Sequence, residues 1–399
     1  MIRRRFLEAA AFGLVSGPVF AQVPRSKSKA RSKSSTKAAP KHGDAPPPVA
    51  DEQINRILGQ ARTDGRRLPG MVAAVVRGED VAALGAVGIR RIGSPDPIRV
   101  DDVVHLGSNT KAMTATMLGT LVDEGKIRWT STVADVFPDP AGQVHPDYLP
   151  VTLDQLLAHR AGFPHDLPWW EGGRGLSVVE QRRALMARGM QEPPLHRPGS
   201  TYAYSNVGYV LAGMMAEKVA GAPWEDLMRR RVFGPLGMTS AGFGPPGARG
   251  QSDHAYGHRA EGNLVQAVHE DNAPSMGPAG TVHCSLPDWA KFASLHLRGS
   301  YKGVRLVKPE TLKALHTPRP GEDYAGGWSV GDRSWAGGLT LSHNGSNTLW
   351  YCTIWLAPAR DFGLLVATNA GGKPAEDACE EANKGLIRYV SADGRGRRR

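Results

Sequence analysis

Ser108 and Lys111 stand three residues apart in Gly107-Ser108-Asn109-Thr110-Lys111, where a strand-like approach, Val103-Val104-His105-Leu106, turns into a helix-like run. Residues three apart share one face of a helix, which sets the amine beside the hydroxyl. A serine hydroxyl is a weak nucleophile and needs a base within hydrogen-bond reach. Lysine, with an ordinary pKa of about 10.4, can be that base only where burial or neighbouring cations keep it neutral. Backbone N–H groups at the helix start could hold a developing oxyanion. The spacing alone has no value, because Ser26 with Lys29 and Ser34 with Lys37 repeat it outside any core-forming stretch. Taken singly, Ser108 reads more simply as a helix N-cap followed by a solvated lysine.

Two further groups complete a possible reaction. In Pro198-Gly199-Ser200-Thr201-Tyr202-Ala203-Tyr204-Ser205-Asn206, a turn precedes Tyr204 and Asn206, just ahead of a helical run. A phenol depressed by an adjacent ammonium can take the serine proton and return it to a leaving group. Asn206 can orient the lysine and bond a substrate amide. On its own Tyr204 reads as a core aromatic with a satisfied hydroxyl. In Ser342-His343-Asn344-Gly345-Ser346, the glycine lets a ligand approach the backbone closely, and the N–H of Ser346 could pair with that of Ser108 as an oxyanion hole. His343 alone reads as a surface strand histidine.

The surrounding pattern predicts what must position these groups. Met71 to Val76, Gly78-Glu79-Asp80 and Val81 to Val87 read as a hairpin. Asn109 to Glu124 reads as a helix with Met113, Met117, Leu118, Leu121 and Val122 on one face and Gly125 at its end. Helical signals follow at Leu153 to Ala158, Val178 to Gly189, Tyr209 to Val219 and Trp224 to Val232. Strand signals return at Leu339 to His343, Thr348 to Leu356 and Gly363 to Thr368, and Ala375 to Val390 closes as a helix. The expected fold is therefore α+β: an α/β half whose antiparallel sheet comes from the N- and C-terminal portions, with an all-helical insertion and a cleft between them.

Composition narrows the function classes. The formal charge of +11 sits at the ends, with +2 in residues 1–21, +6 in 22–50 and +3 in 391–399, so the body from 51 to 390 is neutral. That body gives no electrostatic reason to expect a nucleic-acid partner. Arg3-Arg4-Arg5, the apolar run from Phe6 to Phe20 and Val19-Phe20-Ala21 predict an export signal over residues 1–21, with a twin-arginine-like Arg-Arg-x-Phe-Leu. The mature protein is thus expected to be periplasmic or secreted, with no transmembrane segment once the signal is removed. Residues 22–50, rich in Lys, Ser, Ala and Pro, read as a disordered basic linker, and 391–399 as a basic tail. Cys284, Cys352 and Cys379 make no disulfide framework, and one bridge with one free thiol is the most they allow. His254 and His258 are four apart, but Ala255-Tyr256-Gly257 between them is not helical and no glutamate occupies the adjacent base position, so neither a metal nor another cofactor is expected. Trp169-Trp170 reads either as lining of the cleft mouth or as buried packing.

The order SxxK, YxN and HxG resembles the class C β-lactamase-related serine hydrolase family, which includes β-lactamases, D-alanyl-D-alanine carboxypeptidases, D-aminopeptidases and esterases. Leu68-Pro69-Gly70-Met71, Leu156-Leu157-Ala158-His159-Arg160-Ala161-Gly162, Tyr204-Ser205-Asn206-Val207-Gly208-Tyr209 and Gly234-Pro235-Leu236-Gly237-Met238 also look like that family's signature stretches, and the likeness covers roughly residues 52 to 390. The resemblance implies a β-lactamase/transpeptidase-like fold, Ser108 as nucleophile, Lys111 and Tyr204 as base and proton relay, and Asn206 as amide partner. It also implies His343, Gly345 and Ser346 as the substrate-side strand, and a small-molecule or peptidoglycan-like substrate. The departure is His343, where the family's true β-lactamases carry lysine. Histidine is mostly neutral at pH 7, which favours an ester or a D-amino-acid peptide or amide over a β-lactam carrying a carboxylate. The competing readings are a β-lactamase or penicillin-binding carboxypeptidase, and a non-catalytic envelope-binding protein on the same fold.

Overall fold

The computed structural model describes residues 49–63, 68–138, 144–173, 175–261 and 264–396. The expected signal and most of the expected linker lie outside the described residues. Among the described residues, no helix is long and apolar enough to cross a membrane.

The hairpin pattern near residue 70 forms as strands β1 (Gly70–Arg77) and β2 (Asp80–Gly88), which turn at Gly78 with φ +60°. Alternate residues of β1 point to opposite faces. Met71, Ala73 and Val75 meet helix α1 (Glu52–Thr63) and the closing helix, while Val72, Ala74 and Val76 face the larger core. Both faces are covered, which is why the segment reads as an unbroken apolar run. After it come β3 (Val103–His105) and helix α2 (Thr110–Asp123). The helical half continues through α3 (Val133–Val136), α4 (Leu153–Leu157), α5 (Val178–Gly189), α6 (Asn206–Ala220), α7 (Trp224–Met228) and α8 (Gly234–Leu236).

The insertion is not all helical. Short strands β4 (Gly242–Phe243) and β7 (Val282–Ser285) pair with β3 in the order β3-β7-β4, and β5 (Gly257–Glu261) with β6 (Leu264–Val268) forms a separate hairpin. Strands of two to five residues carry too little alternation to be read. Helices α9 (Gly277–Gly280), α10 (Leu286–Arg298) and α11 (Pro309–Leu315) lead back to the sheet. There β8 (Tyr324–Ala325), β9 (Trp328–Arg333), β10 (Gly338–Ser346), β11 (Tyr351–Ala357) and β12 (Phe362–Thr368) complete the order β2-β1-β12-β11-β10-β9-β8. Every pairing is antiparallel, and Met71 of β1 lies opposite Thr368 of β12, so one sheet does join the two ends of the body.

Three local expectations change. Helix α2 is buried on every side from Thr110 to Leu121 instead of along one face, because its threonines find partners inside: Thr114 Oγ1 donates to the Pro278 carbonyl and Thr116 Oγ1 to that of Ala112. The run expected as one helix from Trp224 to Val232 widens into a π-helical turn over Arg229–Phe233 ahead of Pro235, which lacks the N–H that a regular ladder needs. The closing helix α12 (Lys373–Gly396) continues past Val390 into the segment expected to be a solvated tail.

Candidate active site

Strand β3 delivers the chain to Leu106, and a tight turn over Gly107–Asn109 starts α2. Gly107 has φ +49°, and a Cβ there would stand 2.3 Å from the backbone nitrogen of Ser346. Gly345 answers from β10: its Cβ would stand 2.0 Å from the Leu106 carbonyl oxygen. The close approach expected at Gly345 is therefore made by the chain's own turn over Gly107–Asn109 and not by a ligand. These two glycines let the sheet edge and the start of α2 meet backbone to backbone. Beneath them Cys352 Sγ is 3.2 Å from the same Leu106 carbonyl, and all three cysteines are free and buried.

Ser108 does not cap the helix; α2 has no side-chain cap. Its half-buried hydroxyl lies 3.1 Å from Lys111 Nζ and is near enough to the Tyr204 phenol to pull its pKa down slightly. Lys111 is fully buried, and its amine donates to Asn206 Oδ1 at 2.7 Å and to the Ala279 carbonyl at 2.8 Å. Burial pushes it down to about 7, against an opposing pull from the nearby Asp166 carboxylate. The neutral lysine that the sequence requires is thus produced by desolvation.

Ser205 caps α6 through its bond from the Gly208 N–H, and this puts Asn206 in the first turn, facing Lys111. Tyr204, just before the cap, has its ring 4.9 Å from Lys111 Nζ. The expected depression of its phenol does not occur. Burial pushes it well above the ordinary tyrosine value, and the nearby Ser108 hydroxyl only partly offsets this. The Lys111 amine, with a pKa of about 7, is only half protonated at neutral pH, and it sits over the ring and not at the phenol oxygen's hydrogen-bonding position.

His343 is buried, not a surface strand residue. Its Nδ1–H donates to the Asn344 carbonyl at 2.6 Å, and its Nε2 accepts from the Tyr324 hydroxyl at 2.9 Å. Burial, helped by Lys111, pushes it down to about 3, so it is uncharged at neutral pH. With Tyr202, Tyr204, Tyr324, Ser329, Ser342 and Asn344 it lines a cleft of about 260 Å³. Strand β9 pairs with β10 only as far as Ser342, while β11 pairs to Ser346, so one edge of the stretch 343–346 is free of a strand: His343 and Asn344 line the cleft, and Gly345 and Ser346 meet the turn at Gly107. Ser346 turns its hydroxyl away to the Trp350 carbonyl and leaves its backbone against Gly107.

Four groups escaped the sequence reading. His159, at φ +56°, has its ring tilted against Tyr204 at 4.2 Å and Tyr324 at 4.7 Å and accepts the Ser205 N–H. It lies inside a quoted signature stretch, which was a usable signal. Asp166 accepts from Asn206 Nδ2 at 2.8 Å and from Trp169 Nε1 at 2.7 Å. Tyr324 and the Ala279 carbonyl gave no sequence signal. Trp169 is buried, as the packing reading expected, and Trp170 is 74% exposed and not among the residues that line the cleft. His258 is committed to backbone, accepting from the Ile92 N–H and bonding the Asn369 carbonyl, and among the described residues no cluster of His, Cys, Asp or Glu could hold a metal ion.

The chain belongs to the Beta-lactamase family, whose model matches residues 54–387, and members of that family are serine hydrolases. Penicillin-binding protein 4 of Amycolatopsis lactamdurans is 27% identical over 336 residues, covering 78% of this chain and 84% of that protein. An unguisins hydrolase of Aspergillus campestris is 26% identical over 335 residues, covering 80% of this chain but only 61% of the larger protein. The fold matches an octameric penicillin-binding protein homologue from Pyrococcus abyssi, with a TM-score of 0.70 at 24% identity over 84% of this chain and 77% of that one. It also matches a class C β-lactamase from Rhodobacter sphaeroides, with a TM-score of 0.69 at 19% identity over 85% and 99% of the two chains.

Proposed function

We propose that this protein hydrolyses an uncharged acyl group, as a carboxylic ester or a D-amino-acid peptide or amide, through an acyl-enzyme on Ser108. The observation that carries the reading is the Lys111 amine, buried, held near neutrality and 3.1 Å from the Ser108 hydroxyl. Ser108 Oγ attacks the acyl carbonyl as its proton passes to Lys111, and the N–H groups of Ser108 and Ser346 hold the oxyanion. Tyr204, a neutral phenol, gives its proton to the leaving group and is restored from Lys111. Water then attacks the ester, with the same two groups removing its proton and returning one to Ser108.

Substrate preference follows from His343. A neutral imidazole with both nitrogens committed supplies no cation for a carboxylate, and among the described residues no lysine or arginine lines the 260 Å³ cleft. The penicillin-binding relative supports a second reading, a penicillin-binding carboxypeptidase or β-lactamase. Mass spectrometry of the intact protein after exposure to esters, D-amino-acid amides and β-lactams distinguishes the two. A transient adduct on Ser108 from the first two classes is expected; turnover of nitrocefin as fast as a p-nitrophenyl ester would overturn the preference. Absence of any adduct, and of labelling by a fluorophosphonate, would leave a non-catalytic binding protein. The basic, apolar start of the chain further supports action outside the cytosol, which fractionation of the producing cell tests.

A further inference from the structure

A neutral amine has two N–H donors and one lone pair. Lys111 has three partners, and two of them, Asn206 Oδ1 at 2.7 Å and the Ala279 carbonyl at 2.8 Å, can only accept. Once both hydrogens are committed there, the lone pair is left for the third partner, the Ser108 hydroxyl at 3.1 Å. This arrangement holds only while Asn206 turns its oxygen to the lysine. Turned over, its NH2 would donate to Lys111 and take up the lone pair that Ser108 needs.

Asp166 decides which way the amide lies. A carboxylate only accepts, so at 2.8 Å it can pair with Nδ2 of Asn206 and not with Oδ1. Its place is fixed by the neighbouring backbone: the Asn206 N–H donates to the His165 carbonyl at 2.8 Å, Ser205 Oγ to the Pro164 carbonyl at 2.6 Å, and Trp169 Nε1 to Asp166 Oδ1 at 2.7 Å. We propose that Asp166 is a positioning residue for the acyl-transfer reaction, locking Asn206 with its oxygen toward Lys111 so that the lysine lone pair is reserved for the Ser108 proton. The proton then moves from Ser108 Oγ to Lys111 Nζ, and the resulting ammonium finds all three of its hydrogens already opposite acceptors. The proposal rests on the serine hydrolase reading of this site.

Asp166 also acts on Lys111 through its charge, the one influence opposing desolvation there. The other titratable groups facing the amine are Tyr204 and Tyr209, whose rings lie 4.9 and 5.6 Å away, and the imidazoles of His159 and His343, both kept neutral by burial. His165 Nδ1 lies 2.5 Å from Asp166 Oδ2, an exposed neighbour on the same loop.

The test is Asp166→Asn in the full chain, read in two ways. In protein carrying 13C-labelled lysine, the Lys111 titration followed by NMR should move to lower pH by roughly half a unit to one unit when the neighbouring negative charge is removed. At pH 9, where Lys111 is neutral in both proteins, labelling of Ser108 by a fluorophosphonate should slow by about tenfold or more, because an asparagine at 166 no longer dictates the orientation of Asn206. A side chain that merely supports the loop would leave the titration where it is. His165→Gln should keep the wild-type titration, and its loss there would assign the effect to His165 and overturn the proposal. Should Asp166→Asn fail to fold, Asp166→Ser provides the same two readings. An unmoved midpoint, or an unchanged rate at pH 9, overturns the proposal while wild-type labelling still upholds the hydrolase. A wild-type Ser108 that takes no label removes both.

Discussion

The Tyr324 hydroxyl lies 2.9 Å from His343 Nε2 and donates to that imidazole, which burial keeps neutral in the wall of the cleft. Replacing His343 by lysine would put a cation beside the substrate strand. Because a hydrogen bond to a charged group is worth about 1.5 to 3 kcal/mol, His343→Lys should raise kcat/KM for carboxylate-bearing acyl substrates at least tenfold relative to uncharged esters. Paired kinetics on a β-lactam and a p-nitrophenyl ester check this; an unchanged ratio contradicts the specificity argument.

Lys111 must be neutral to accept a proton, and its pKa is held near 7. Activity should therefore rise with pH through a single ionisation centred near that value and level off above it. Lys111→Arg, which stays charged at every accessible pH, should lower kcat/KM by about a hundredfold to ten-thousandfold. A rate profile with no limb between pH 6 and 8 would show that the lysine is not the base.

Tyr204 is a half-buried phenol that desolvation holds un-ionised beside Ser108. Tyr204→Phe should leave the melting temperature near that of wild type and cut kcat by about a hundredfold, with leaving groups of high pKa affected most. Equal losses for p-nitrophenyl and alkyl esters would argue against a role in leaving-group protonation.

Gly345→Ala would drive a methyl group to 2.0 Å from the Leu106 carbonyl, a backbone atom that cannot swing away. Overpacking of this kind costs about 1 to 3 kcal/mol or more. Both the urea midpoint and the rate of Ser108 labelling should fall, since separating β10 from the turn also separates Ser346 from Ser108. A variant with wild-type labelling would break the link between the glycine and the site.

Several histidines are uncharged, with the buried His343 pushed down to about 3 and the buried His258 and half-buried His316 to about 4 by desolvation. Unfolding frees them to bind protons from about pH 6.5 downward. The sign is that of a depressed folded-state pKa: the stabilisation is complete above about 6.5 and is lost as pH falls toward those lower values. Each such group removes about 1.4 kcal/mol per pH unit in that window. Urea denaturation at pH 7 and pH 5 should show a marked loss at the lower pH; equal stability would contradict the burial of these rings.

Much of the site was legible because its chemistry is written locally. Ser108 and Lys111 lie one helical turn apart, and Tyr204 and Asn206 straddle a cap, so short-range spacing carries their geometry. What stayed hidden depends on contacts between distant segments. Asp166 matters only because the loop before it is bonded to residues 205 and 206, and Tyr324 only because a two-residue strand brings it to His343. The ionisation of Tyr204 was misread for the same reason, since its burial comes from His159 and its neighbours and not from the residues beside it in sequence. Helix α2 was given one apolar face because threonines count as polar until their acceptors across the core are known.

Strand β12, the last to be synthesised, lies in the middle of the sheet between β1 and β11, and β10, whose edge seats the turn over Gly107–Asn109, is built on β11. A ribosome therefore releases Ser108 more than two hundred residues before the strands that surround it. Until those strands close, the serine has no fixed partner for its proton and no backbone donor opposite. A growing or truncated chain ending short of Thr368 should be chemically inert, and catalytic power should appear all at once when the finished polypeptide folds.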